Sequence, residues 1–150
     1  MNIEEANIPE KDLKPITIFV NSYGGDLDVS LNLADVIMAS RIPIITVAMG
    51  VAMSAGFIIF LSGTRRYVFN HTNLLIHSGS ATLAGTAEQV AAAQTNYKAQ
   101  LAQMKDLILA RTEIPEKVYN KNKTKDWYLT IDDVKNYKIA TVVNSLSEIK

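Results

Sequence analysis

Apolar and polar positions along this chain fall into short blocks whose period switches from segment to segment. Residues 1–14 are polar and charged; Pro15 then opens Ile16-Thr17-Ile18-Phe19-Val20, a β-rich run closed by Asn21-Ser22-Tyr23-Gly24-Gly25. From about Asp26, the spacing of Val29, Leu33, Val36 and Ile37 predicts a helix with those side chains on one face. The apolar run Ile42 to Met49 reads as a buried strand, and Phe57-Ile58-Ile59-Phe60-Leu61 as a buried helix. Arg66-Tyr67-Val68-Phe69 and Asn73-Leu74-Leu75-Ile76 predict two short strands around the turn Asn70-His71-Thr72. Residues 78–86 are small and flexible in character.

A long helix is predicted from about Ala87 to Arg111. Val90, Tyr97, Leu101, Met104 and Ile108 form a stripe at helical spacing, with Glu88, Gln100, Gln103 and Lys105 on the opposite face. So long a helix either packs on its own core or projects toward another subunit, and the pattern alone leaves both open. A shorter helix begins near Pro115, and another starts at Thr130, where Thr130 and Asp133 make an Asp-containing form of the capping box. Strands alternating with helices argue for an α/β layered fold in a chain of single-domain length, with no internal repeat or linker.

Composition narrows the chemistry more than the fold. Fifteen basic and fifteen acidic residues balance, so no overall charge points to nucleic acid or an anionic membrane. The absence of cysteine excludes disulfides, thiolate metal sites and a cysteine nucleophile. Two histidines six residues apart, with no acidic cluster near them, make a metal site a poor expectation, and no phosphate-loop or dinucleotide fingerprint occurs. The longest apolar stretch, Val47 to Leu61, is broken by Gly50 and Gly56 and falls short of the ~20 residues a membrane helix requires. The acidic start Met1-Asn2-Ile3-Glu4-Glu5 does not read as a signal peptide, so a cytoplasmic location is expected.

One hydroxyl stands out. Ser54, in Gly50-Val51-Ala52-Met53-Ser54-Ala55-Gly56, falls at a tight junction between the predicted buried strand and buried helix. Small neighbours allow a sharp turn that leaves a nucleophile accessible, although the pattern is not the G-x-S-x-G elbow, and such a serine also serves as a packing device. Gly24-Gly25, between a strand and a helix start, suits backbone N–H groups aimed at an oxyanion; a plain turn is the alternative. His77 ends an apolar strand, while His71 sits in a polar turn and reads as solvated. Asp126 lies beside Trp127-Tyr128, an aromatic pair able to bury it in part, though it also suits a loop.

Taken in order, these segments resemble the proteolytic subunit of the Clp protease, the ClpP family of serine peptidases. Ile18-Phe19-Val20-Asn21-Ser22-Tyr23-Gly24-Gly25 is similar to the family's strand ending in N-S-P-G-G, and Gly50 to Gly56 to its nucleophile segment. Arg65-Arg66-Tyr67 with Asn73-Leu74-Leu75-Ile76-His77 resembles the approach to its histidine, and Lys125-Asp126-Trp127-Tyr128-Leu129-Thr130 the stretch that holds its aspartate. The resemblance covers about residues 16 to 140. It implies a ClpP/crotonase-type fold of repeated β-β-α units, with helix 87–111 as the family's protruding handle. It also implies a Ser54, His77 and Asp126 triad, an oxyanion site of backbone N–H groups at Gly24 or Gly25 and at Ala55, and hydrolysis of peptides or unfolded polypeptides inside a ring-shaped homo-oligomer of two stacked heptamers. No cofactor is implied for the peptidase itself; ATP would enter only through an AAA+ unfoldase partner.

The chain departs from the family pattern at several points, as a divergent or N-terminally shortened member would. Against that pattern the N-terminal region used for unfoldase docking is expected to be missing, Tyr23 replaces proline, and Ser78-Gly79 replaces Gln-Pro after the histidine. Thr124-Lys125 replaces an acidic residue and an arginine that bridge the rings, and a lysine cannot reproduce the arginine fork. Lys138 replaces a helix-terminating glycine, which should strain that turn. The sequence is also compatible with two other functions: a non-catalytic ring or scaffold subunit, and a crotonase-type acyl-CoA enzyme.

Overall fold

The computed structural model describes Pro9 and residues 12–150, so the polar segment 1–14 lies largely outside the described residues. Six strands and five helices follow in the order β1 (Ile16–Ser22), α1 (Leu27–Met38), β2 (Ile44–Met53), α2 (Ala55–Leu61), β3 (Arg65–Phe69), β4 (Asn73–Ile76), α3 (Ala87–Arg111), α4 (Glu116–Asn122), β5 (Trp127–Leu129), α5 (Ile131–Asn136) and β6 (Thr141–Val143). No helix among the described residues is long and apolar enough to cross a membrane.

β2 organises the sheet, whose order is β5-β4-β2-β3-β6, with β1 also paired to β2. The strand is longer than the apolar run that announced it, because it continues through Gly50 to Met53. Its first half pairs in parallel with β3 (Ile45 with Arg65 to Ala48 with Val68), and its second half with β4 (Val51 with Asn73 to Met53 with Leu75). Between the halves, Gly50 adopts φ +79°, a conformation favourable to glycine, and the β1 pairing jumps from Val20–Ala48 to Ser22–Ala52. Asn21 bridges this irregularity: its Oδ1 accepts the Val51 N–H at 3.2 Å and lies where a Cβ on residue 50 would stand.

The core fills the space between the sheet and α2. Phe57, Ile58, Phe60 and Leu61 are almost wholly buried, together with Val68, Leu74, Ile108, Val134 and Ile139. Two arginines fasten α3 onto this body. Arg111 donates to the carbonyls of Leu61 and Gly63, and Arg66 donates to those of Ile139, Gly63 and Arg111. Burial, and then the nearby Arg111 charge, push the Arg66 guanidinium down to about 10.

Two helix faces came out differently from their patterns. On α1 the buried residues are Ser30, Ala34 and Ile37, whereas Val29 and Val36 are 66% and 62% exposed and Leu33 is also exposed. The larger apolar face therefore points outward, because α1 packs through small Ser30 and Ala34, together with Ile37, against its neighbouring helix α2. On α3 only Met104 and Ile108 are buried; the residues from Ala87 to Gln89 and Ala91 to Asn96 are exposed. Its C-terminal half packs on the core and its N-terminal half is exposed, so packing on the chain's own core accounts for half of the helix.

Candidate active site

Three neighbouring strands, two ending and one beginning, bring the three residues singled out from the sequence to one end of the sheet. β2 leads into Ser54, β4 into His77, and β5 is entered through Asp126. The carboxyl ends of parallel strands are where α/β sheets open crevices for ligands.

Ser54 sits on a strained elbow. Its φ of 54° and ψ of −124° lie outside the ordinary regions for a non-glycine residue, a conformation that costs of order 1–3 kcal/mol and persists only when the surroundings enforce it. They do so from three sides. The Ser54 N–H donates to the Leu75 carbonyl at 3.0 Å, extending the β2–β4 pairing, and its own carbonyl accepts from Phe57 and Ile58 in the buried helix α2. Gly24, at φ +113°, presses against the elbow so closely that a Cβ there would lie 2.8 Å from both the Met53 oxygen and the Ser54 Cβ. Gly56 packs on Ser22 a little less tightly, a Cβ there lying 3.0 Å from the Ser22 carbonyl oxygen. Although Ser54 occupies the cap position of α2, its hydroxyl makes no capping bond.

The register of β4 against β5 brings His77 and Asp126 together. Leu74, Leu75 and Ile76 pair antiparallel with Leu129, Tyr128 and Trp127, so the next pair in that sequence is His77 with Asp126. Their side chains meet at 3.1 Å, His77 Nδ1 to Asp126 Oδ1, which leaves the ring's Nε2 free of that contact. The aromatic neighbours do not bury Asp126, whose side chain is 63% exposed; Trp127 instead packs edge-on against Tyr137, with ring centres 6.4 Å apart. Two polar contacts fix the chain on either side. Ser78 Oγ donates to the Lys123 carbonyl, tying the histidine segment to the aspartate loop, and Tyr97 on α3 donates to the Ser78 carbonyl.

A cleft gathers Ser54, Ala55 and His77 with Gly25 from the β1–α1 turn and Tyr97 from α3. Among the described residues, no hydrogen bond joins the Ser54 hydroxyl to His77, a link that often tightens only with substrate bound. The Gly24 N–H already donates to Ser22 Oγ at 3.1 Å, whereas Gly25 is open on the cleft side, with no atom within 4 Å of the position its Cβ would take. His71 is exposed in its turn. No group of three or more metal-ligating side chains occurs among the described residues.

Sequence reasoning missed the cleft wall supplied by helices. Tyr97 had been placed in a packing stripe and Gln100 on the opposite face, yet both line the cleft with Met104. Residues 97, 100 and 104 are spaced three and four apart, which puts them on one face, and this was the available signal.

The Clp protease family model matches residues 6–145. The chain belongs to the Clp protease family. Proteolytic subunit 3 of the ATP-dependent Clp protease from Rhodococcus jostii is 30% identical over 144 residues, spanning 94% of this chain and 70% of that protein. Subunit 2 from Corynebacterium glutamicum is 28% identical over 141 residues, spanning 93% and 70%. Among solved structures, a ClpP1 mutant from Listeria monocytogenes matches with a TM-score of 0.77 and 26% identity, covering 91% of this chain and 77% of that one. The Clp protease relationship supports a peptidase-type function and a mixed α/β fold in which the 25-residue α3 is the handle helix.

Proposed function

We propose that this protein is a serine peptidase that cleaves peptides or unfolded polypeptides, with Ser54 as nucleophile, His77 as base and Asp126 as the group that orients His77. The observation that carries the reading is the convergence of an uncapped, strained Ser54 and an Asp126-paired His77 on one cleft, at the ends of adjacent strands. In this mechanism His77 Nε2 takes the Ser54 proton as Oγ attacks the peptide carbonyl, then returns it to the leaving amine. Asp126, bound at Nδ1, fixes the tautomer and stabilises the imidazolium; water then hydrolyses the acyl-enzyme.

The developing oxyanion is held by the N–H groups of Gly25 and Ala55, since that of Gly24 is spent on Ser22. One such donor contributes about 2.7–4 kcal/mol to the transition state.

The active form in this reading is a ring of identical subunits. The outward apolar face of α1, with exposed Phe19 and Ile16 on β1, offers surface for self-association, and the projecting half of α3 offers a second contact between rings.

Native mass spectrometry combined with a peptide-cleavage assay tests the proposal. Assembled protein with turnover that Ser54→Ala abolishes supports it. Rings without turnover overturn the peptidase role in favour of a scaffold subunit.

A further inference from the structure

We infer that Asp28 makes this cleft selective for peptides carrying a lysine or arginine beside the bond to be cut, an assignment that rests on the peptidase reading above. The cleft is lined by α1, the Ser54 elbow, the His77 segment and α3, and no lysine or arginine is among its lining residues. Two carboxylates are, and their circumstances differ. Asp26 spends Oδ1 on the Val29 N–H as the cap of α1. Asp28, two residues further on, is exposed and has no cationic partner among the described residues; its one side-chain bond is from the Gln100 amide across the cleft.

Gln100 is a neutral donor, so the bond supplies no counter-ion and holds the carboxylate on the cleft wall between α1 and α3. Asp28 lines the same cleft as Ser54, Ala55 and His77. A cleft wall with one sign of charge favours ligands of the other sign and rejects its own. Position in the first turn of α1 also suits an aspartate through the helix dipole, a purely structural role that predicts no effect on substrate choice.

Kinetics on the intact protein separate the two roles. Fluorogenic peptides identical except for lysine, norleucine or glutamate at the cleaved residue are compared by kcat/KM. The lysine peptide is expected to exceed norleucine by about tenfold, with the margin shrinking as salt is raised. In Asp28→Asn the ratio should fall to within about twofold of unity, and in Asp28→Lys the glutamate peptide should become the better substrate. Equal rates for lysine and norleucine in the unaltered protein, or a ratio that Asp28→Asn leaves in place, overturn the assignment. Binding of the same peptides to Ser54→Ala, followed by fluorescence anisotropy, keeps the two readings apart. Asp28-dependent preference for the lysine peptide without any turnover retains the selectivity and rejects the peptidase. Turnover without preference does the reverse.

Discussion

The two sides of the cleft are built in opposite ways. The Ser54 elbow is enforced by close packing: Gly24 leaves no room for a side chain and Gly56 little, α2 is buried almost throughout, and the β2–β4 pairing reaches the Ser54 N–H itself. The His77–Asp126 side is enforced by strand register and a few polar contacts near the surface, with Asp126 largely in solvent. Packing is stiff and tolerates little change in volume, whereas exposed hydrogen bonds contribute little net stability but fix direction. Changes on the elbow should therefore register mainly as lost stability, and changes on the His77 side mainly as lost activity.

Asp126→Asn gives the sharpest break. It should lower kcat by about 10²–10⁴-fold by presenting the wrong histidine tautomer, while the unfolding free energy moves by less than about 0.5 kcal/mol. A drop in stability matching the drop in rate would erase the distinction.

Gly24→Ala is the counterpart on the elbow. The new methyl meets backbone at 2.8 Å in a conformation unfavourable to alanine, so denaturant unfolding should show a loss of about 2–4 kcal/mol. An alanine variant of ordinary stability would mean that the elbow is more pliable than its packing indicates.

Tyr97→Phe removes only the bond from α3 to the Ser78 carbonyl. It should cost at most about 1.5 kcal/mol in stability and lower kcat/KM several-fold through a less well-held His77 segment.

The smallest effect concerns strain. Ser54 and Lys138 are the two non-glycine residues with positive φ among the described residues, and only Ser54 lies in the cleft. Lys138, at φ 47°, does take the strained turn its replacement of glycine foretold. Its ion pair with Glu113 is exposed on both sides and offsets little of that cost. Lys138→Gly should raise stability by about 0.5–1 kcal/mol in thermal unfolding and leave peptide cleavage as it was.

Much of this was legible because local pattern and tertiary role agreed. The helix 87–111, the strands before and after Asn70-His71-Thr72 and the Thr130–Asp133 capping box all follow from short-range rules. Where long-range geometry decided, the sequence was silent. Trp127–Leu129 is too short and too mixed to announce a strand, yet its pairing with β4 is what sets Asp126 against His77. The continuation of β2 past Gly50 depends on Asn21 from another strand. Val29, Leu33 and Val36 showed that α1 has an apolar face, but periodicity carries no information on whether that face meets this chain's core or another surface.

The most direct measurement is covalent labelling by a fluorophosphonate, which reacts with a serine only when a base activates it. On the folded, assembled protein, peptide mapping by mass spectrometry should find one adduct, on Ser54, absent from Ser54→Ala and strongly reduced in His77→Ala. Failure of the folded, assembled protein to take up the probe at Ser54 would contradict the account.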